Sequence, residues 1–241
     1  MNREYYKVRS RHLDRDMELL IFGHAGLPLI VFPTSGGRFF DFENHGMVAA
    51  LAGPLETGRL QLCCVDSVDH ESWYNHKVPP RMRVARQQQY ERHLLHEVLP
   101  PIRCKNHDLR LMTMGCSMGG YQAVNLALRH PELFTGFLSL SGVFDLSLFL
   151  DGYCDEECYF HLPTYYLPNL ADPWYLTRMA KGNYTLATGW DDVCLGDNQN
   201  LDRILREKGI AHRFEIWSSS NTHDWPTWRR MAMKFLGDEL I

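Results

Sequence analysis

The sequence predicts an α/β fold with a mostly parallel central sheet and helices on both faces. Apolar runs of strand length recur along the chain between turn residues. Segments with helical spacing or helix-ending residues lie between several of these runs. Strands that alternate with helices form a parallel sheet covered on both sides. One such domain commonly fills a chain of 241 residues, so we expect residues 1–241 to form a single domain.

Seven apolar runs indicate strands, from their length and their content of β-branched and aromatic residues. In chain order they are MELLIFG, LPLIVFP, LQLCCVD, LRLMTMG, FLSLSG, YTLATG and HRFEIWS. The residues HAG alone separate the first run from the second. We therefore expect these two runs to open the sheet as an antiparallel hairpin.

Four segments indicate helices, because each is followed by a residue that ends helices. Proline follows the first two and glycine follows the last two, the segments being 81–98, 120–129, 198–208 and 226–236. The first of them is expected to end at Pro100. Residues 151–174 are rich in tyrosine, proline and acidic residues, and we expect an irregular insertion that lies over the sheet.

Composition and charge limit the classes of partner. The formal charge is −4, and no basic cluster is longer than Arg229-Arg230. This argues against nucleic acid and against an anionic membrane surface. The first stretch, MNREYYKVRSRHLDRD, lacks the apolar segment of a secretory signal. No run approaches the roughly 20 apolar residues of a membrane span, so we expect a soluble cytoplasmic protein.

The cysteines indicate neither a disulfide framework nor a metal site. There are seven, an odd number that fits reduced thiols better than paired ones. Cys154 and Cys158 have a spacing that a metal site can use, but no second ligand pair accompanies them, and a structural zinc needs four ligands. We expect no metal and no organic cofactor.

The stretch GCSMGG places Ser117 directly between a predicted strand and a predicted helix. A turn this tight strains the backbone and brings neighbouring chains close, so small residues are needed on both sides, and Gly115 and Gly119 supply them. Such a turn lifts a serine hydroxyl above the carboxyl end of the sheet, at a helix N-terminus. Ser117 is therefore the predicted nucleophile.

A serine nucleophile needs a histidine base and a carboxylate, which in α/β hydrolases follow in the order serine, acid, histidine. Asp191 and Asp192 follow the strand YTLATG, and His223 follows the last strand. All three lie at the edge of the sheet where Ser117 lies. His70 is an alternative base that breaks this order. Asp145 is an alternative acid, although a helix N-cap is the favoured interpretation of that residue.

Acyl transfer also needs two backbone N–H groups that bind the developing oxyanion. The residue after the nucleophile, Met118, offers one. The loop after the strand LPLIVF offers Gly36 and Gly37, where the backbone can approach a ligand closely. Trp73 and Tyr74 follow another strand and are expected either to line the substrate pocket or to anchor their loop.

Several longer stretches resemble one family of proteins. They are MELLIFGHAGLPLIVFPTSGGRFFDFE, CVDSVDHESWYN, GCSMGGYQAVNLALRHPELF, SGVFDL, YLPNLADPWYL and THDWPTW. Together they are similar to the Putative esterase family of α/β hydrolases, the group of esterase D and the mycolyltransferases, and most of all to its short bacterial members. The resemblance implies the α/β-hydrolase fold and a triad of Ser117, Asp192 and His223. Asp191 departs from that pattern, which makes the acid worth testing.

The leading hypothesis is a serine carboxylic ester hydrolase that forms an acyl-serine intermediate on small ester substrates. An acyltransferase or a thioesterase with the same triad is the alternative, and a scaffold protein without activity is a third hypothesis. The partner is then a small-molecule ester. The sequence leaves open the acyl chain length and whether the chain forms a homo-oligomer.

Overall fold

The structure is a computed structural model that describes residues 1–218 and 223–238. Eight strands in this part form one sheet: β1 (Arg3–Ser10), β2 (Arg15–Phe22), β3 (Leu27–Phe32), β4 (Leu60–Val65), β5 (Met112–Cys116), β6 (Gly136–Leu140), β7 (Asn183–Gly189) and β8 (Arg213–Trp217). Their order is β1-β2-β4-β3-β5-β6-β7-β8. β1 pairs with β2, and β2 with β4, in antiparallel fashion, and the remaining neighbours pair in parallel. The predicted mostly parallel α/β sheet is confirmed.

The helices cover both faces of this sheet. They are α1 (Asp41–Asn44), α2 (Met47–Ala50), α3 (Ala52–Glu56), α4 (Pro80–His93), α5 (Leu99–Lys105), α6 (Met118–Arg129), α7 (Glu156–Tyr159), α8 (Pro163–Tyr166), α9 (Pro173–Met179), α10 (Leu195–Glu207) and α11 (Trp225–Ala232). Shorter 3₁₀ turns lie at Ser147–Phe149 and Leu167–Asn169, and π-helical turns at Leu94–Val98 and Met233–Asp238. None of the helices in the described ranges combines the length and the apolar character that crossing a bilayer requires.

The sheet begins with an antiparallel hairpin, but not with the expected one. β1 pairs with β2, whereas β4 lies between β2 and β3. The link from β2 to β3 passes the start of β4, where Gly26 has a φ of 85° and an added Cβ would lie 2.1 Å from the carbonyl carbon of Arg59. The expected β2–β3 hairpin is therefore wrong, because the glycine lets the chain pass β4 at this close approach.

The expected helix end at Pro100 is also wrong. α4 continues through the π-helical turn at Leu94–Val98 into α5, which carries its prolines in the first turn. Both prolines lie where the π-helical turn has already interrupted the regular i→i−4 pattern, so the continuing helix tolerates residues without an N–H at this point. The last helix likewise continues through Gly237 as a π-helical turn.

The segment 151–174 is less irregular than expected. It contains α7, α8 and the 3₁₀ turn at Leu167–Asn169, and α9 begins at its end. His161, Leu162 and Leu167 are buried in it. The segment therefore contributes to the core, and the expectation of an irregular insertion is corrected.

The core consists of two apolar clusters, which contain alternate residues of the buried strands. In β4, Cys63 belongs to one cluster and the adjacent Cys64 belongs to the other. Successive side chains of a strand point to opposite faces, so each helical layer packs on its own set of side chains. The parallel strands between these layers all end at one edge of the sheet, and the residues that follow β3, β5, β6 and β7 meet there.

Candidate active site

Ser117 lies in a strained turn between β5 and α6. Its φ is 56° and its ψ is −122°, a conformation that residues other than glycine rarely adopt. An added Cβ at Gly115 would lie 2.1 Å from the carbonyl group of Gly119, so the turn requires glycine there. The Ser117 N–H donates to the carbonyl of Leu140 at 2.9 Å, which ties the turn to the end of β6. The predicted strand, turn and helix around Ser117 are confirmed.

His223 joins the serine to a carboxylate. Its Nε2 lies 3.0 Å from Ser117 Oγ, and its Nδ1 lies 2.9 Å from Asp192 Oδ1. The edge of its ring packs against Trp228 of α11, with ring centroids 5.0 Å apart. Residues 219–222, which precede His223 in the sequence-predicted loop, lie outside the described residues. The structure thus brings together the three predicted triad residues in hydrogen-bonding order.

Asp192 is a buried carboxylate with several donors. The Cys194 N–H donates to its Oδ1 at 2.8 Å, beside the bond to His223. Burial acts to raise the pKa of this carboxyl, but hydrogen bonds from His223 and Ser141 and from the Cys194 N–H outweigh burial, and the pKa lies below its ordinary value. Asp192 is therefore ionised at neutral pH and can hold the His223 imidazole by its Nδ1–H.

The residues considered as alternative acids and as an alternative base lie outside the hydrogen-bonded series of Asp192, His223 and Ser117. Asp191 is exposed beside Asp192. Asp145 is exposed too, and its Oδ1 accepts the Ser147 N–H at 2.9 Å, which is the capping interpretation favoured from the sequence. His70 packs beside Gly36, where an added Cβ would lie 2.8 Å from its Nε2.

Ser141 supports the site from the end of β6 and was not identified from the sequence. Like Ser117 it has a positive φ, 53°, and it is fully buried. Its Oγ accepts a hydrogen bond from Trp228 Nε1 at 2.9 Å, and its hydroxyl contributes to lowering the pKa of Asp192. A serine directly after a strand, at the same edge as Ser117, is the one sequence signal that could have indicated it.

In the loop after β3, the backbone N–H groups that are free to bind a ligand are not the ones that the sequence predicted. The Gly36 N–H donates to Asp69 Oδ2 at 3.0 Å, and the Gly37 N–H donates to the Thr34 carbonyl at 2.8 Å. The Thr34 N–H donates to Asp41 Oδ2 at 2.9 Å. The two glycine N–H groups named from the sequence are thus already engaged, and that assignment is corrected.

Two other N–H groups remain available beside the serine. Within residues 1–218 and 223–238, no acceptor engages the N–H of Ser35. The N–H of Met118, the first residue of α6, is likewise without an acceptor in this part of the chain, as expected at a helix N-terminus. Ser35 and Ser117 line the same cleft.

That cleft has a volume of about 650 Å³ and is open to solvent. Its described lining residues are Thr34, Ser35, His45, Ser117, His223, Asp224, Trp225, Pro226, Trp228 and Arg229. Trp73 does not reach it, because its side chain is fully buried against Tyr121, so the expectation that Trp73 lines the pocket is corrected. Tyr74 reaches the cleft indirectly, through a hydrogen bond of 2.8 Å from its hydroxyl to Ser35 Oγ.

Within the described ranges, one trio of side chains has the spacing of metal ligands. Ligand atoms of Asp192, Cys194 and His223 lie within 4.8 Å of one another. Two of these groups already bond to each other, since His223 Nδ1 contacts Asp192. A metal ion could bind here if it displaced that hydrogen bond, so the arrangement fits proton transfer through His223 better than metal chemistry.

Comparison with known proteins gives one family and many similar folds. Residues 42–234 match the family described as "Putative esterase". A ferulic acid esterase structure covers 97% of this chain and 95% of its own, with 16% identity and a TM-score of 0.76. MPT51 (FbpC1) of Mycobacterium tuberculosis covers 99% and 97%, with 17% identity and a TM-score of 0.71. An S-formylglutathione hydrolase of Agrobacterium tumefaciens covers 96% and 91%, with 13% identity and a TM-score of 0.72. No curated protein sequence matches the chain.

Proposed function

Since the chain belongs to the Putative esterase family and is a carboxylesterase-type enzyme, we propose that it hydrolyses small carboxylic esters through an acyl-serine intermediate. The observation that carries this proposal is the continuous hydrogen-bonded series from Asp192 through His223 to Ser117, at 2.9 and 3.0 Å. A serine hydroxyl becomes a nucleophile when an oriented base accepts its proton. This series supplies both the base and its orientation.

In the first half of the proposed reaction, Ser117 Oγ attacks the ester carbonyl while His223 Nε2 accepts the hydroxyl proton. Negative charge develops on the carbonyl oxygen, and the free N–H groups of Met118 and Ser35 are the proposed donors that bind it. His223 then returns the proton to the departing alcohol. The serine is left acylated.

In the second half, His223 takes a proton from water as the water attacks the acyl group. It then returns this proton to Ser117 Oγ as the acyl–serine bond breaks and the acid leaves. Asp192 holds the Nδ1–H of the imidazole throughout and stabilises its charged form. The same triad would serve an acyltransferase, if an alcohol replaced water, or a thioesterase, if the leaving group were a thiol. The acceptor and leaving group therefore have to be identified by product analysis.

The proposal is tested with wild-type protein and the Ser117→Ala variant. We expect the wild type to hydrolyse short-chain p-nitrophenyl esters, to react with a fluorophosphonate at Ser117, and to keep its rate after dialysis against EDTA. Ser117→Ala should lose the label and several orders of magnitude in kcat, because the residual rate rests on binding alone. Its melting temperature should hold or rise, since the Ser117 hydroxyl bonds to His223 at the cleft and contributes chemistry rather than core packing.

Three results would each reject a part of the proposal. Full turnover by a folded Ser117→Ala protein would exclude the acyl-serine mechanism. Activity that is lost to EDTA and restored by zinc would assign the chemistry to a metal. Wild-type protein that neither turns over esters and thioesters nor takes the label would support the scaffold hypothesis.

A further inference from the structure

The oxyanion loop, residues 34–37, is held by a carboxylate on each side of Ser35. On one side, the Thr34 N–H and hydroxyl both donate to Asp41 Oδ2, at 2.9 and 2.8 Å. On the other side, the Gly36 N–H donates to Asp69 Oδ2 at 3.0 Å. Ser35 lies between these two fixed points, and its own N–H stays free in the described chain.

Asp69 is the more unusual of the two carboxylates. It lies in the loop after β4, 33 positions from Gly36, and is 2% exposed. Its Oδ1 is buried and has no hydrogen-bond partner among the described residues. Burial raises its pKa to about 6, although the Gly36 N–H and His70 act in the opposite direction. A buried acid with an unpaired oxygen lowers stability, and such arrangements concentrate at functional sites.

We propose that Asp69 is a positioning residue of the oxyanion loop, whose side chain holds the Gly36 N–H so that the N–H of Ser35 remains available to bind the oxyanion. This inference rests on the proposed ester hydrolysis. Asp69 reaches the reaction through Gly36 and Ser35, and it touches no reacting atom. A loop that shifts by about 1 Å can lose a factor on the order of 10² in rate, so a single anchoring bond is enough to matter.

The surroundings of Asp69 leave the anchoring bond as its main polar contact. Of the titratable groups on its own loop, His70 acts to lower the pKa of Asp69, and Asp69 acts to raise the pKa of Tyr74. Asp69 also contributes to raising the pKa of Tyr90 in α4. The amide of Gln122 in α6 makes a smaller contribution that also lowers the pKa of Asp69, and it pairs with Gln87 at 2.7 Å. The Asp69 side chain forms no ion pair in the described residues, so a structural role as a salt-bridge partner does not account for it.

The experiment compares Asp69→Leu with Asp69→Asn. Leucine has nearly the shape of aspartate and suits a buried position, but it cannot accept the Gly36 N–H. Asparagine keeps a carbonyl oxygen that can accept it. Asp197→Ala is the matched control, because Asp197 Oδ2 also accepts two backbone N–H groups, those of Phe144 and Asp145, but in the loop after β6. Values of kcat and KM are measured at pH 8 with p-nitrophenyl acetate, and each variant's melting temperature is recorded.

We expect Asp69→Leu to lose about 10- to 100-fold in kcat with KM within about threefold of wild type, because an oxyanion donor acts in the transition state rather than in substrate binding. Asp69→Asn should keep kcat within about threefold. Asp197→Ala should keep kcat to the same degree while its melting temperature falls. This separation of kcat from KM, and the rescue by asparagine, would not follow from a general loss of structure.

The other outcomes overturn the inference. An Asp69→Leu protein with wild-type kcat shows that the anchor is not needed, and equal losses in the leucine and asparagine variants show that the acceptor is not what matters. If Asp69→Leu fails to fold while Asp69→Asn folds, the role of Asp69 is structural. A wild-type protein without ester hydrolysis or labelling of Ser117 instead rejects the proposed function itself, which distinguishes the two failures.

Discussion

Asp192 and Asp69 are both buried carboxylates in loops at the catalytic edge of the sheet, and each accepts a backbone N–H. Their pKa values nevertheless move in opposite directions. Asp192 has two donors on its Oδ1, His223 Nδ1 and the Cys194 N–H, with a further contribution from the Ser141 hydroxyl, and its pKa lies below the ordinary value of 3.8. Asp69 accepts the Gly36 N–H on its Oδ2, and its pKa rises to about 6. The number of donors, rather than burial alone, decides which form of a buried carboxyl the fold prefers.

The two groups therefore affect stability with opposite signs. Asp192 has a lowered folded-state pKa, so it stabilises the fold above pH 4 and loses that contribution as the pH falls through its folded-state pKa. Asp69 has a raised folded-state pKa, so the fold loses stability as the pH rises from about 4 to about 6. At neutral pH the ionised Asp192 therefore carries no cost in stability, whereas the ionised Asp69 carries one.

The largest expected effect comes from removing the charge of Asp192, the carboxylate with more hydrogen-bond donors. Asp192→Asn should lose about 10⁴ in kcat, the loss seen when the isosteric amide holds a triad histidine in the wrong tautomer. Asp191→Asn is the matched control, because that side chain is exposed, and it should stay within about tenfold of wild type. Steady-state kinetics on both variants decide the matter. A large loss in the Asp191 variant alone would move the acid to Asp191, and two active variants would make Asp145 the candidate.

A smaller effect, on the free energy of unfolding, is expected when Asp69, the carboxylate with fewer hydrogen-bond donors, loses its charge. Asp69→Asn should raise the free energy of unfolding at pH 8 by at most about 3 kcal/mol, the amount that a pKa raised from 3.8 to about 6 implies. Below pH 4 the gain should vanish, because Asp69 of the wild type is then protonated in both the folded and the unfolded state. Urea unfolding at the two pH values measures this difference. A gain that is the same at both would show that ionisation of Asp69 is not its cause.

The smallest effect is expected from removing one of the hydrogen-bond donors to Asp192. This change makes the surroundings of Asp192 more similar to those of Asp69. Ser141→Ala should lower kcat by about tenfold, or about 1.4 kcal/mol. It should also destabilise the fold by about 1–3 kcal/mol, because Trp228 Nε1 loses its acceptor. Ser139→Ala is the control, since that hydroxyl is buried in β6, two residues before Ser141, and has no partner in the described chain. Equal kinetics in the two variants would contradict a role for Ser141 at the triad.

Local patterns were sufficient to predict that Ser117, Asp192 and His223 meet at one edge of the sheet. Ser117 was identified from a strand, a glycine turn and a helix that are contiguous in the chain. Asp192 and His223 were identified because parallel strands end at one edge of the sheet, so loops far apart in sequence meet there. The seven apolar runs likewise became strands β2 to β8. Each of these inferences needed only the neighbours of a residue along the chain.

Contacts between distant segments could not be predicted in this way. The place of β4 between β2 and β3 depends on pairing across the sheet. Likewise, Trp73 turned out to be a core residue because α6 packs on it. The oxyanion loop shows the same limit, because whether Gly36 has a free N–H depends on Asp69, a residue of another loop. A sequence pattern gives the type of group at an edge, and tertiary contacts decide which of its atoms are free.

The two adjacent thiols of β4 can report separately on the two helical layers that cover the sheet. Cys63 and Cys64 are joined by one peptide bond, yet each is covered by a different helical layer. A thiol reagent can reach either of them only when the layer above it opens. The rates at which the two sulfurs are alkylated in the native protein, separated by mass spectrometry of one short peptide, would therefore compare the opening of the two layers within a single molecule.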